Sequence, residues 1–491
     1  MGVPRRPAVE RCDMSPFIRI ASMSVAVVTA LELVVAIGLA PHAAAEPCTD
    51  PAANAVPGAV PAIPAPGPAV QPPTGHRPPG TNDNAPLPDI GALLAGAQNT
   101  VHQQAGVVPP APAPEPQQPD PGAAPQPQPQ PQAAEPAPAA PNPGAALGGA
   151  RTSIINWVSG PHSPNSTLQR FGISGTDLGI MWDNGNPGNR QVLMAFGDTF
   201  GFCRVQGKQW RYNVLFRTQA RDLSGGLAVP QGVPGNRFSG APVYRSGIAK
   251  QVVNSIRWAP TEKGVIPTAG TSVGGVQYMN FMSIRNWGRD GEWSTNYSAL
   301  AMSRDNGETW GILPTTIRTP EPGTTSKARH IPGNQNFQQG AFLQPGDGYV
   351  YSYGTPSGRG GPIFLSRVPQ NALPDLRKYQ YWSNSDWAAA DPATATPIVP
   401  GPAGEMSVQY NDYLQQYLML YTNGASNDVV ARTSPTPQGP WSPESVLVRS
   451  PQIPGGIYAP FLHPWASGQD IYYNLSLWSA YNVILMHTKL G

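Results

Sequence analysis

Two aspartates stand in short, glycine-containing phrases. Asp177 lies in Ser174-Gly175-Thr176-Asp177-Leu178-Gly179, and Asp198 lies in Phe196-Gly197-Asp198-Thr199-Phe200-Gly201. Residues 190–196 read as a buried strand, and the Gly-, Asn- and Pro-rich residues 183–189 read as the turn before it. Both aspartates therefore fall at strand ends. Neighbouring carboxyl groups that hold different protonation states can carry out acid/base cleavage of a glycosidic bond. Alternatively, each aspartate caps a turn, which is the more common role of Asp beside Gly.

The elements that must position these aspartates are strands. From Ile154 onward the chain consists of short apolar or aromatic runs separated by Gly, Pro, Asn and Asp, without a convincing amphipathic helix. The runs recur about every 50 to 70 residues, which is the length of one four-stranded propeller blade. We therefore predict an all-β domain over residues 151–491 that folds as a five-bladed β-propeller. Its innermost strands are expected to begin near Asp177, Ser272, Gln338, Glu405 and Tyr458.

A turn motif supports the propeller. Residues 303–310, Ser-Arg-Asp-Asn-Gly-Glu-Thr-Trp, match the Asp-box of sialidases and other propellers. In that motif Asp and Thr close a hairpin turn while Trp packs between sheets, so we interpret Asp305 as structural. A sialidase is disfavoured because the box occurs once and the expected arginines with a Tyr-Glu pair are not evident.

The starts of inner propeller strands point into one axial pocket, so residues distant in sequence can share a site. Asp177 and Asp198 are the predicted catalytic pair. Glu405 is either a third carboxylate or a solvated strand-end glutamate. Aromatic faces for sugar stacking, or for packing between blades, are Trp182, Trp287, Tyr410, Tyr458 and Trp465. Donors for sugar hydroxyls are expected from Asn213, Gln339, Arg359, Asn411 and His463, the last of which is alternatively a turn histidine.

The composition restricts the partner. The 491 residues carry a net charge of +2, and 12% of them are charged, against about a quarter in ordinary globular proteins. No basic run stands out, which argues against nucleic acid and favours a neutral ligand such as a carbohydrate. We expect a monomer without metal or cofactor, with a calcium ion on the propeller axis left open.

The N-terminal part is predicted to direct export. Residues 1–45 combine basic residues, an apolar stretch and Ala43-Ala44-Ala45, as a secretory signal does, and Met14 is an alternative start to Met1. Glu32 inside the apolar stretch argues against a stable membrane span but leaves an N-terminal tether open. Residues 46–150, rich in Pro, Ala, Gln and Gly, are predicted to be a disordered linker. The expected location is secreted, or a cell-wall or periplasm-like space.

The cysteines fit the same expectation. Removal of the signal would leave Cys48 and Cys203. In an exported chain such a pair permits one disulfide, which would tie the mature N-terminus to the propeller. The sequence leaves open whether this bond forms.

Several phrases resemble a known family over about Ile154 to Gly491. They are Gly175-Thr176-Asp177-Leu178-Gly179, Phe196-Gly197-Asp198-Thr199-Phe200, Arg211-Tyr212-Asn213, Tyr353-Gly354-Thr355 with Gly358-Arg359, Phe364-Leu365-Ser366-Arg367-Val368, and Tyr410-Asn411-Asp412-Tyr413-Leu414. The family is a secreted actinobacterial domain of unknown function that is now grouped as endo-D-arabinofuranases, glycoside hydrolase family 183. The resemblance implies a five-bladed propeller that acts on D-arabinan of mycobacterial arabinogalactan and lipoarabinomannan. By position, the two catalytic aspartates of that family correspond to Asp177 and Asp198.

Two functional hypotheses follow. The first is hydrolysis of internal D-arabinofuranosyl linkages in cell-wall arabinan by carboxylate acid/base chemistry. The second is a non-catalytic propeller that binds cell-wall glycan at the end of a stalk. The long linker and an insertion-rich stretch over residues 206–253 are the features that keep the second hypothesis open.

Overall fold

The computed structural model describes residues 147–289 and 291–491. The predicted signal at 1–45 and almost all of the predicted linker, including Cys48, lie outside these residues. No helix in the described part is long and apolar enough to cross a membrane. The only described α-helix is α1 (Thr167–Phe171), and short 3-10 turns occur at Gln206–Gln209, Asn334–Phe337, Gln370–Ala372, Leu376–Lys378, Pro392–Thr394 and Ser450–Gln452.

The strands form successive antiparallel sheets in chain order. After β1 (Arg151–Trp157), the first blade contains β2 (Gly175–Asp183), β3 (Val192–Phe200) and β4 (Val214–Thr218), followed by a small hairpin of β5 (Val243–Arg245) and β6 (Ile248–Ala249). The second blade contains β7 (Gly264–Val273), β8 (Val276–Trp287), β9 (Trp293–Ser303) and β10 (Gly311–Arg318).

The third blade contains β11 (Gln339–Leu343), β12 (Tyr349–Thr355) and β13 (Gly361–Pro369), with β14 (Gln380–Ser383) and β15 (Asp386–Ala389) at its outer edge. The fourth contains β16 (Val399–Asn411), β17 (Gln416–Asn423), β18 (Val429–Ser434) and β19 (Ser445–Val448), and β13 and β16 pair to join these two blades. The fifth contains β20 (Ile457–Leu462), β21 (Asp470–Leu477) and β22 (Asn482–Lys489).

The ring is closed in two ways. The first strand, β1, pairs with the last, β22, so that Thr152 lies opposite Thr488 and the fifth sheet gains its fourth strand. On the inside, β2, β7, β11, β16 and β20 each contact the next, and β20 contacts β2. The prediction of an all-β, five-bladed propeller is therefore confirmed.

Two predicted strand starts were wrong. β16 begins at Val399, six residues before Glu405. β7 begins at Gly264, and Ser272 lies near its end rather than at its start. Pro267 and Gly270 make the real strand read like a loop, and the hairpin turn is formed instead by Gly274 and Gly275. Both of these glycines have positive φ, 56° and 79°, which favours glycine at these two positions.

The Asp-box forms the hairpin between β9 and β10. The Asp305 carboxylate accepts hydrogen bonds from the Thr309 N–H (2.9 Å) and from the hydroxyls of Thr309 (2.6 Å) and Ser303 (2.7 Å). Trp310 is 2% exposed and its ring packs edge-on against Trp182. The structural interpretation of Asp305 is confirmed.

Candidate active site

Bulges interrupt four of the five inner strands near the same end of the propeller. The register shifts at Asp177 in β2, at Thr268 in β7, at Gly404-Glu405 in β16 and at Ala459-Pro460 in β20, whereas β11 pairs regularly with β12. A bulge breaks the alternation of side chains and re-aims one of them, and such bulges are enriched beside active sites. Inner strands of a propeller run in the same direction, so these positions gather at one mouth of the ring.

Asp177 is held at the first of these bulges. Thr176 pairs with Thr199 and Leu178 pairs with Phe196, so Asp177 faces Gly197 and Asp198 across the strand pair. Leu178 has φ of 70°, a left-handed conformation that is costly for a branched side chain and is often found at functional sites. A Cβ atom at Gly197 would collide with Oδ1 of Asp177. The carboxylate of Asp177 therefore packs directly over the Gly197 backbone.

Asp198 belongs to the end of β3 and is 7% exposed. Its Oδ1 accepts a hydrogen bond of 3.1 Å from the indole N–H of Trp210. Trp210 in turn packs edge-on against Tyr212, with ring centroids 4.7 Å apart. The sequence prediction did not include Trp210. Its position three residues before the predicted donor Asn213, in the same short segment, is the signal that could have suggested it.

An ion pair joins the third and fourth blades at this mouth. Arg359, in the turn between β12 and β13, contacts Glu405 of β16 in a bidentate geometry, with Nε–Oε2 and Nη2–Oε1 distances of 2.9 Å. Burial alone would lower the pKa of Arg359, but the carboxylates of Glu405 and Asp177 raise this pKa above its ordinary value. The guanidinium therefore carries a permanent positive charge at the site.

Tyr458, at the start of β20, connects this ion pair to the aspartates. Its hydroxyl donates a hydrogen bond of 2.9 Å to Oδ2 of Asp177, and Cζ of Arg359 lies 4.8 Å from its ring centroid. Burial, together with the negative charge of Asp177, raises the pKa of Tyr458 well above its ordinary value. The hydroxyl is therefore protonated and able to donate. We refer to Asp177, Asp198, Arg359, Glu405 and Tyr458 as the axial site.

The second blade contributes aromatic rings to the same mouth. Trp287 ends β8 and Trp293 begins β9, and their ring centroids are 6.1 Å apart in an edge-on arrangement. Cζ of Arg359 lies 5.7 Å from the Trp293 ring. Trp287 was predicted, but Trp293 was missed, although Gly288 and Gly291 between them in the sequence indicate a hairpin that pairs the two. All five blades thus supply a side chain to one region.

The described residues contain no group of three or more His, Cys, Asp or Glu side chains arranged to hold a metal ion. The axial site supplies two aspartate carboxyl groups, the Arg359–Glu405 ion pair and one phenolic hydroxyl. Carboxyl pairs of this kind can donate and accept protons at an acetal centre.

Comparison with known proteins places the chain in a family. Residues 162–487 match the domain of unknown function DUF4185. The chain belongs to the DUF4185 family.

Two relatives of this chain are the notoamide biosynthesis cluster protein J of Aspergillus sp. (strain MF297-2) and protein J' of Aspergillus versicolor. Protein J is 30% identical over 325 residues, which cover 64% of this chain and 82% of that protein. Protein J' is 31% identical over 331 residues, which cover 64% of this chain and 83% of that protein. Among solved structures, a putative hydrolase from Bacteroides ovatus aligns with a TM-score of 0.44 and 14% identity, covering 66% of this chain and 88% of that one.

Five predicted ligand-binding residues of the DUF4185 domain are placed elsewhere. Trp182, Tyr410 and His463 each follow an axial-site residue by five positions, namely Asp177, Glu405 and Tyr458. At about 3.3 Å per residue, five positions place them about 16 Å further along, towards the opposite end of the ring. Alternation and strand content do not reveal which end of a strand faces a pocket. The neighbouring residues Asn411 and Trp465 lie at that opposite end as well.

These residues have structural contacts there. The Trp182 indole donates to Gln277 (2.9 Å), and the Asn411 amide donates to the Gly468 carbonyl (2.9 Å). The Trp465 indole donates to Asp183. Tyr410 is 37% exposed beside Tyr417. His463 is 1% exposed, and burial lowers its pKa to about 4, so its ring is neutral near pH 7.

Two further predicted donors are occupied by the backbone. The Asn213 side chain accepts from the N–H groups of Val252 and Val253 and donates to the carbonyls of Val253 and Val265. The Gln339 side chain donates to the Gly358 carbonyl at 2.6 Å, beside Arg359. Asn213 therefore fixes a crossing segment of the DUF4185 domain, and Gln339 supports the turn that carries Arg359. Their predicted role as donors to a ligand does not fit these contacts.

One cysteine of the predicted disulfide lies among the described residues. Cys203 is disulfide-bonded, and its predicted partner Cys48 lies outside the described residues.

Proposed function

We propose that this chain is a glycoside hydrolase that cleaves internal D-arabinofuranosyl linkages in arabinan of mycobacterial-type cell walls, arabinogalactan or lipoarabinomannan. The observation that carries the proposal is the position of Asp177 opposite Gly197 and Asp198 at the mouth of the closed ring of inner strands. Two carboxyl groups on facing strands, beside aromatic rings and a cation, are the groups that glycoside hydrolysis requires. The substrate is inferred from the resemblance of the two aspartate phrases to endo-D-arabinofuranases.

The surroundings of the aspartates suggest a division of roles. Asp177 accepts from the Tyr458 hydroxyl and lies in the field of Arg359, both of which favour its ionised form. We assign it as the base or nucleophile. Asp198 is buried, and burial favours the protonated form that a general acid must hold.

In this assignment Asp198 gives its proton to the glycosidic oxygen as the bond from that oxygen to the anomeric carbon breaks. Asp177 either takes a proton from the water that attacks the anomeric carbon, or attacks that carbon itself and is released by water in a second step. Export by the predicted signal would bring the enzyme to the cell-wall polysaccharide.

The direct test is incubation of the full chain with purified D-arabinan, followed by chromatography of the products. We expect oligosaccharides of several lengths from D-arabinan and none from L-arabinan or galactan. Asp177→Asn and Asp198→Asn should each abolish release, whereas Asp305→Asn, in the Asp-box, should retain it. The Asp198→Asn variant should still cleave an aryl arabinofuranoside with a good leaving group, because departure of the aryl group needs little protonation.

Each outcome separates the alternatives. Saturable binding of D-arabinan without any product would favour the non-catalytic glycan-binding propeller. Unchanged activity in both Asp177→Asn and Asp198→Asn would overturn the assignment of the site. Loss of the aryl substrate reaction in Asp198→Asn, with retention in Asp177→Asn, would reverse the two roles.

A further inference from the structure

The ion pair of the axial site is built to be rigid. The side chains of Arg359 and Glu405 are 16% and 10% exposed, and both carboxylate oxygens of Glu405 accept from the guanidinium. Bidentate pairing of this kind adds geometric specificity to the charge interaction. A carboxylate held by both oxygens is poorly placed to exchange a proton with a substrate.

The backbone around Arg359 is held by two neighbouring blades. Its N–H donates to the Gly291 carbonyl of the second blade at 2.8 Å. A Cβ at Gly404 would come within 2.9 Å of Cγ of Arg359, and one at Gly424 would collide with the Arg359 carbonyl. Both glycines belong to the fourth blade, so close approach there leaves Arg359 little freedom to move.

The ion pair reaches Asp177 through Tyr458. The guanidinium packs over the Tyr458 ring, and the Tyr458 hydroxyl donates to Asp177. Glu405, Arg359, Tyr458 and Asp177 thus form a continuous series of contacts, in which the neutral Tyr458 side chain lies between the cation Arg359 and the carboxylate of Asp177. The electrostatic interaction between Arg359 and Asp177 is strong enough to contribute to the raised pKa of Arg359.

We propose that Arg359 and Glu405 are positioning residues that set the charge of Asp177, and that Glu405 is not a third reacting carboxylate. The cation favours the ionised form of Asp177, and Glu405 moderates this effect so that the carboxylate stays basic enough to act. The inference rests on the proposed function, because it assigns to Asp177 the role of base or nucleophile.

The proposal predicts opposite effects for the two partners. Arg359→Met removes the cation and leaves Glu405 uncompensated, so the acidic limb of the pH profile of kcat should move up by about one pH unit. Glu405→Gln leaves the cation unmoderated, so the same limb should move down by about one pH unit. Arg359→Lys keeps the charge and should leave the limb close to that of the wild type, with a lower kcat from the lost bidentate geometry.

A matched control exists in the fourth blade. Arg432 pairs with Glu444 at 3.1 Å, and both contact the hydroxyl of Tyr421, which repeats the Arg–Glu–Tyr arrangement away from the axial site. Arg432→Met and Glu444→Gln should change thermal stability without moving the pH profile. A purely structural role of the axial ion pair would give the same result for the Arg359 and Glu405 variants.

The measurement is the pH profile of kcat on D-arabinan, with a thermal melt of each variant to establish that it is folded. Displacement of the limb in opposite directions supports the proposal. The proposal is overturned if the acidic limbs of folded, active variants coincide with that of the wild type. It is also overturned if the activity of Glu405→Gln falls to the level of Asp177→Asn. If the wild type releases no product, the failure lies with the proposed function, and this is visible before any variant is made.

Discussion

The hydroxyl of Tyr458 donates a 2.9 Å hydrogen bond to the carboxylate of Asp177, although 281 positions separate the two residues in the chain. The bond links the first and fifth blades at the axis. Because Asp177 also lies at a bulge whose next residue, Leu178, has a strained backbone, its carboxylate is fixed both by its own strand and by a distant blade. Pre-organisation of this kind is what a reacting group needs.

The first prediction concerns this bond. Tyr458→Phe removes the hydroxyl and leaves the ring under Arg359, so kcat on D-arabinan should fall about tenfold, as loss of a hydrogen bond to a charged group would produce, with KM little changed. The control is Tyr421→Phe, which removes a comparable 2.6 Å bond to Glu444. Steady-state kinetics check both variants. Equal kcat for Tyr458→Phe and the wild type would mean that the bond does not contribute to the reaction.

The second prediction concerns the space above Gly197. Gly197→Ala places a methyl group against Oδ1 of Asp177, and the carboxylate must move. A displacement of about 1 Å at a reacting group can lower the rate about a hundredfold, so kcat should fall on that order. The matched control is Gly225→Ala, where no atom lies within 4 Å of the new methyl.

Steady-state kinetics and a thermal melt distinguish an effect of Gly197→Ala on kcat from an effect on stability. Gly197→Ala should remain folded, because the strand pair accepts alanine, whereas Gly225→Ala should match the wild type in both measurements. Full activity of Gly197→Ala would show that the position of Asp177 is not limiting.

The sequence was sufficient to predict the parts of the site that lie close together along the chain. Asp177 and Asp198 lie on consecutive strands joined by one turn, so turn residues and strand length brought them together without knowledge of the rest of the fold. The Arg359 contact with Tyr458 depends on how whole blades are rotated around the axis, which no short pattern encodes. The residue types of Tyr458 and Arg359 indicate that both suit a sugar, but they do not predict the contact between the two side chains.

Three predicted residues lie away from the axial site for the same physical reason. Trp182 and Tyr410 lie on inner strands that carry axial-site residues, and His463 directly follows another, each about 16 Å further along the chain direction. Strand periodicity reports which face of a sheet a residue occupies and carries no information about which end opens to a ligand. Asn213 differs for another reason, because a buried amide must satisfy its hydrogen bonds and in this fold the backbone satisfies them.

The third prediction tests the structural role of the Asp-box. Asp305→Ala removes the acceptor for Thr309 and Ser303, so the free energy of unfolding should fall by about 2 kcal/mol, as expected for hydrogen bonds to a charged group. The kcat on D-arabinan should not change. Asp222→Ala, in an exposed turn, is the control and should leave the melting temperature almost unchanged. A lower kcat in an Asp305→Ala variant that remains folded would contradict a purely structural role of Asp305.

The fourth prediction concerns a buried carboxyl beside the start of β7. Glu262 is 4% exposed, and its Oε2 accepts from the hydroxyl of Ser283 at 2.6 Å. Burial raises the pKa of Glu262 above its ordinary value of 4.5, although hydrogen bonds from Ser255, Ser283 and Tyr297 oppose this effect. The folded protein therefore holds this proton more tightly than the unfolded chain does.

The sign of the pH dependence follows. The contribution of Glu262 to stability is complete below the ordinary pKa, and it is lost as the pH rises from that value through the raised pKa of the folded state. Glu262→Gln mimics the protonated form, so its melting temperature should change less over about pH 4 to 8 than that of the wild type, while Glu292→Gln, at an exposed position, should follow the wild type. Melting curves at several pH values provide the measurement. A constant difference between Glu262→Gln and the wild type at every pH would mean that the pKa of Glu262 is the same in the folded and unfolded chain, because only a carboxyl whose pKa differs between the two states makes that difference depend on pH.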